Sequence, residues 1–124
     1  MKNHNIDEIS EKMKEIKAYI QPFMLQKVTD ALHKIHVRGM SVNDIKGFGK
    51  EKDEAYPHHS RDAVTEFTPK MKIEIACHDE EVEAIVECIK KHAHTGRKGD
   101  GKIFVNPIES VVSIRTGEKD RDAI

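Results

Sequence analysis

The apolar residues of this chain change period in a fixed order, and that order narrows the fold more than any other feature. Ile16, Ala18 and Ile20 alternate with Glu15, Lys17 and Tyr19, the period of a strand with one face on a core. Pro22 closes that strand. Leu25, Val28, Leu32 and Ile35, with Ala31 on the same face, fall at three-and-four spacing, which predicts a helix over 23–36 ended near Gly39. Residues 40–47 read as a second strand. After a long polar run, Met71, Ile73, Ile75 and Cys77 return to period two from Lys70 onward. Asp79 is placed to cap a second helix, with Val82, Ile85, Val86 and Ile89 as its buried stripe and Lys90, Lys91 and His92 at its negative end. Gly96 reads as its stop, residues 102–105 as a fourth strand, and residues 111–115 as a last extended piece.

The order is β-α-β-β-α-β, the pattern of a ferredoxin-like α+β fold: an antiparallel sheet with both helices on one face. The other face would carry Tyr19, Ala76 and their neighbours, and covering it predicts self-association. At 124 residues the chain has the size of one domain. Within residues 1–12 only Ile6 and Ile9 stand among polar residues after Met1, so this stretch is expected to be a flexible extension ahead of a domain at 13–124. Residues 49–68 form a polar run interrupted by Pro57. A loop that long in a small domain is usually functional or disordered.

Charge and hydropathy remove several function classes. The 21 basic and 22 acidic residues nearly cancel, leaving no broad basic face for nucleic acid. No apolar run approaches the roughly 18 residues of a membrane span, and the polar start lacks the apolar block of a secretory signal. A cytoplasmic chain with no direct membrane insertion is the expectation. Cys77 and Cys88 have neither Cys-x-x-Cys spacing nor the density of a secreted scaffold, and are expected to be buried reduced thiols.

Three segments carry chemistry. Residues 96–102 read G-x-x-x-x-G-K, but a P-loop needs Ser or Thr next and must open a helix, whereas here Ile103 leads into a strand. What remains is a turn with three glycines that can take positive φ and present successive N–H groups, with Lys102 as an added cation: an anion cradle, or a plain helix-to-strand connection. K-G-F-G-K at 46–50 brackets Phe48 with glycines where a strand leaves the sheet, for close approach of a ligand or for a bulge. In S-I-R-T-G-E at 113–118, Arg115 can reach a phosphate or remain solvated.

Together with T-P-K-M-K-I-E-I, the strings G-M-S-V-N-D-I-K-G-F-G, H-T-G-R-K-G-D-G-K-I-F-V and I-R-T-G-E closely resemble the PII (nitrogen regulatory) signal-transduction proteins, from Met13 to Ile124 without a gap. The resemblance implies a homotrimer of ferredoxin-like subunits that is a regulator and not an enzyme. It also implies ATP or ADP, with AMP a third candidate, in each intersubunit cleft, and a T-loop over 49–68 that controls a transporter or enzyme. Carried over by position, Ser41, Gly49, Lys50, Ala76, Gly99, Asp100, Gly101 and Lys102 would line the nucleotide from one subunit. Arg115 would approach its phosphates from the neighbour. Glu51 and Lys70 take the positions that meet magnesium and 2-oxoglutarate.

The sequence departs from the family in three places. Ala63 stands where many relatives carry the uridylylated tyrosine. Glu51 replaces the glutamine that ligates magnesium beside 2-oxoglutarate; a carboxylate still ligates magnesium, but facing a dianion it costs ~4 kcal/mol at 4 Å in an effective dielectric near 20, so weak 2-oxoglutarate binding is predicted. Ser113 replaces the first arginine of a paired R-x-R and so removes one phosphate clamp. These departures are similar to a branch of the family associated with heavy-metal efflux. The adjacent His58 and His59 have the donor types of a zinc, copper or nickel site but match no dedicated spacing. A metal-binding protein with a vestigial nucleotide cleft is therefore the alternative from another class, and solvated loop histidines are the bland one.

Overall fold

The structure is a computed structural model that describes residues 12–47 and 67–124. Four strands, β1 (Met13–Ile20), β2 (Ser41–Gly47), β3 (Thr68–His78) and β4 (Gly101–Ile108), form one sheet in the order β2-β3-β1-β4, with every neighbouring pair antiparallel. Two helices, α1 (Leu25–Lys34) and α2 (Val82–Ala93), complete the expected ferredoxin-like order. Ile16, Ala18 and Ile20 of β1 and Ile73, Ile75 and Cys77 of β3 are buried in one cluster with Val28 and Leu32 of α1 and Ile85, Ile89 and Ala93 of α2. Both helices therefore cover the same face of the sheet. The opposite face alternates charges, with Lys17 near Glu15 and Lys72 near Glu74 at 3.7 Å each, and sets the Tyr19 ring edge-on to Phe104.

The ends of the elements differ from the sequence reading for identifiable reasons. The first helical segment opens as a 3-10 turn, Pro22–Met24, because proline suits the first helical position. It ends before Gly39: His36 takes φ 65°, its N–H donates to His33 O, and the Val37 N–H donates to Leu32 O. This is a Schellman closure with histidine in the place usually held by glycine. Asp79 is not the cap of α2. It lies inside a 3-10 turn, Asp79–Glu81, whose N-cap is His78, and the His78 N–H donates to Glu81 Oε1 at 2.8 Å. The Asp79 carboxylate pairs with Lys14 at 2.9 Å instead. β4 runs three residues past Val105 and includes Pro107, which is tolerated because β4 is an edge strand. The predicted extended piece at 111–115 is a turn instead. Ser113 N–H donates to Glu118 O, Gly117 N–H donates to Ser113 O, and a single bridge, Val112 to Lys119, closes it.

Both cysteines are free; Cys77 is buried as expected, but Cys88 is only half-buried. Burial, followed by the nearby Glu81 charge, pushes the Cys77 thiol up to about 11. No helix among the described residues is long and apolar enough to cross a membrane.

The register places one end of the sheet under several chemically marked segments. Ile20 pairs with Met71 on one side and Gly101 on the other, and Gly47 pairs with Thr68. The end of β1, the starts of β3 and β4, the loop after α2, and both ends of the segment between β2 and β3 therefore converge.

Candidate functional site

The loop 94–100 leaves α2 through His94 in extended conformation and re-enters the sheet at Gly101. Its glycines take backbone angles that a side chain disfavours: φ is 89° at Gly96, 99° at Gly99 and 108° at Gly101. At Gly101 a Cβ would stand 1.7 Å from Tyr19 O, inside the backbone of β1. Only glycine allows β4 to start there.

Asp100 staples the loop across its own mouth. Its carboxylate accepts from the Thr95 N–H at 2.8 Å, the Gly96 N–H at 2.9 Å and the Thr95 hydroxyl, while Thr95 Oγ1 accepts from the Arg97 N–H at 3.2 Å. Burial pushes the Asp100 carboxyl up, but the hydrogen bonds from Thr95 and Gly96 and the charge of His94 outweigh it and hold the group below the usual carboxylate range. On the other side of the loop the Gly99 carbonyl accepts from two donors: Gln21 Nε2 at 2.8 Å and Lys70 Nζ at 2.5 Å. The Arg97 guanidinium lies 5.9 Å from the centre of the Phe23 ring.

Beside this loop lies a cleft of about 350 Å³ between α2 and the start of β4. Ile20, Val86, Ile89, Ala93 and Ile103 give it an apolar floor, and Lys90 and Lys102 supply two cations beside Gly101, with His94 and Asp100 completing the lining. A concave apolar surface with convergent cations and glycine backbone suits an organic anion.

The structure brings together Gly99, Asp100, Gly101, Lys102 and Lys70. Asp100 meets the site as the brace of the loop, because Thr95 and Gly96 occupy its oxygens. Ser41 and Ala76 are not among the residues lining this cleft. Lys102 is in line with Tyr19 and Lys72 across the sheet, and Ala76 is four residues along from Lys72 on β3. That separates it from Lys102 by about 13 Å along the strands and about 10 Å across them. Ser113 and Arg115 sit in the turn after β4 and do not line the cleft either; the Ser113 hydroxyl accepts from the Thr116 N–H at 3.3 Å. Gly49, Lys50, Glu51, His58, His59 and Ala63 lie outside the described residues, as do residues 1–11 of the predicted extension and nearly all of the predicted T-loop. Among the described residues no three His, Cys, Asp or Glu side chains group to hold a metal ion.

Sequence reasoning missed Gln21, Thr95 and Arg97. Thr95 had a local signal, a hydroxyl five residues before an aspartate across a glycine turn. Gln21 had none, since its contact spans 78 residues.

Comparison with known proteins gives consistent matches. A family profile described as "Nitrogen regulatory protein P-II" matches residues 13–118. A protein of that name from Azospirillum brasilense is 50% identical over 112 residues, covering 90% of this chain and all of the relative, and one from Rhizobium meliloti is 46% identical over the same share of each. Among solved structures, Arabidopsis thaliana PII bound to citrate superposes with a TM-score of 0.74 at 37% identity, covering 92% of this chain and 94% of that one.

Proposed function

The chain belongs to the nitrogen regulatory protein P-II family, and from that premise we propose that it is a homotrimeric signal-transduction regulator. In this reading it binds adenine nucleotide and controls a transporter or enzyme through residues 49–68 without itself catalysing a reaction. The observation that carries it is the braced glycine loop. Asp100 holds the loop in shape before any ligand arrives, and Lys102 supplies a cation at its exit. A loop fixed in advance binds an anion without the cost of ordering itself. That the Arabidopsis relative was solved with citrate, a multivalent anion, supports the same ligand class.

In this reading Ser41, Gly49, Lys50, Ala76 and Gly99 to Lys102 line the nucleotide from one chain, Ala76 and Lys102 standing about 13 Å apart along the strands and about 10 Å across them, a span that an extended nucleotide can bridge. Arg115, on an exposed turn, is then free of its own cleft to serve a neighbour, and Ser113 beside it leaves the outer phosphates with one clamp fewer. The names of the relatives favour nitrogen status over metal efflux as the signal. Magnesium would be met by Glu51, whose charge keeps 2-oxoglutarate binding weak.

Calorimetry with ATP, ADP and AMP, paired with sedimentation, tests the reading. It expects a trimer that binds all three nucleotides. Ser113→Arg should raise ATP affinity by roughly ten-fold, on the scale of one charge-assisted contact, and AMP affinity by less. A monomer at micromolar concentration with no nucleotide heat would overturn it.

A further inference from the structure

Gln21 is a polar side chain only 2% exposed, and its place is set by its neighbours in sequence. It follows the last residue of β1 and precedes Pro22, which confines it to extended backbone; it sits at φ −66°, ψ 136°. From there Nε2 reaches 2.8 Å to Gly99 O, and the carbonyl acceptor fixes which end of the amide faces the loop. The same oxygen accepts from Lys70 Nζ, so both of its lone pairs are engaged. The peptide after Gly99 is trans and planar. Holding its carbonyl toward Gln21 and Lys70 therefore turns the Asp100 N–H to the opposite side.

We propose that Gln21 is a positioning residue for the phosphate-binding loop: it holds the Gly99 carbonyl so that the backbone donors of 99–101 keep one orientation toward an anion. The two donors on that carbonyl are not equivalent. Lys70 is charged, stands three residues into β3 at the root of the 49–68 segment, and can turn to an anion that enters there. Gln21 is neutral, anchored by Pro22, and stays. The carbonyl then keeps a partner, and the loop keeps its shape, when Lys70 is engaged elsewhere. This inference deepens the nucleotide-binding reading and rests on it.

The test compares wild type with Gln21→Met, which keeps length and burial but cannot donate, and Gln21→Lys, which restores a donor of similar reach. Calorimetry with ATP and with adenosine is combined with amide hydrogen exchange over 96–102. Gln21→Met should weaken ATP about ten-fold, the value of one buried hydrogen bond. Adenosine affinity should stay unchanged, exchange at 99–102 should accelerate, and Gln21→Lys should return ATP to within about three-fold of wild type. Equal losses for ATP and adenosine, or no loss in Gln21→Met, would overturn the proposal. If wild type binds neither ligand, the nucleotide reading fails, and exchange at 99–102 alone decides the positioning role: faster in Gln21→Met upholds it, unchanged refutes it. Should Gln21→Met not fold, Gln21→Leu replaces it, being similar in volume, uncharged and unable to donate; ATP affinity and exchange at wild-type level in that variant would refute the proposal.

Discussion

Gly101→Ala places the largest demand on this fold that a single methyl group can make. The new Cβ would lie 1.7 Å from Tyr19 O, 2.7 Å from Tyr19 C and 3.4 Å from Ile20 Cα. All three are backbone atoms of β1, whose inward side chains Ala18 and Ile20 are at most 1% exposed. No rotamer change relieves such a contact, and β1 cannot move without opening the core, so the start of β4 must withdraw. Backbone strain at φ 108° costs about 1–3 kcal/mol, and losing the Gly101 to Ile20 end pair adds ~1 kcal/mol. A total of about 3 kcal/mol, set against an unfolding entropy of ~2 cal/mol/K per residue, lowers the melting temperature by roughly 12 °C. Circular dichroism melts at one fixed protein concentration measure this, because assembly makes the midpoint concentration-dependent. Gly39→Ala is the control: nothing lies within 4 Å of its Cβ, and its melt should match wild type. A Gly101→Ala protein melting within about 2 °C of that control would refute the reasoning, since it would mean that β4 does not begin pressed against Tyr19.

Two further outcomes follow from the charged groups. Asp100→Asn keeps the shape of the brace but offers one acceptor oxygen and no charge, so it should cost about 1–2 kcal/mol at neutral pH by urea denaturation. Because the Asp100 carboxyl is held below its ordinary value, its contribution is present above the ordinary carboxylate range and disappears as pH falls through the depressed value. The two proteins should therefore converge in strong acid, and an undiminished gap there would show that the loop does not rest on the ionised group. Arg121 holds Glu80 down to about 2, chiefly through its side-chain hydrogen bonds. Arg121→Ala should return the Glu80 carboxyl, followed by carbon NMR, to the ordinary carboxylate range. Any stability from the pair is present above that range and fades toward pH 2; with both side chains about a third or more exposed, it should be small. An unmoved titration would assign the shift to some other partner.

What the sequence disclosed, and what it withheld, divides along the range of the forces involved. β1, α1, β3 and α2 were legible because each buries one face on a common core, and burial writes a period into the chain that local inspection recovers. β2 shows the weaker case: Val42 is exposed and Ile45 only half-buried, so its place rested on the fold order as much as on its own pattern. The tail at 111–115 was misread because Val111, Val112 and Ile114 suggest a strand, whereas Ser113, Thr116 and Gly117 close a turn through contacts of four and five residues. The glycines and Lys102 marked the candidate site in the sequence, since the glycines' positive backbone angles and the lysine's charge are properties of residue type. What holds that site was not legible. Gln21 and Lys70 meet the Gly99 carbonyl across 78 and 29 residues, and no periodicity records a contact that only the convergence of three strand ends creates. The same physics explains the split in the expected ligand residues. A strand advances about 3.3 Å per residue, so residues six apart on β3, such as Lys70 and Ala76, serve different ends of one face. A ligand that needs both ends of that pattern must stretch along the face, and in the proposed reading Arg115 of a second copy completes its site, so dilution of the trimer to monomers should weaken nucleotide binding.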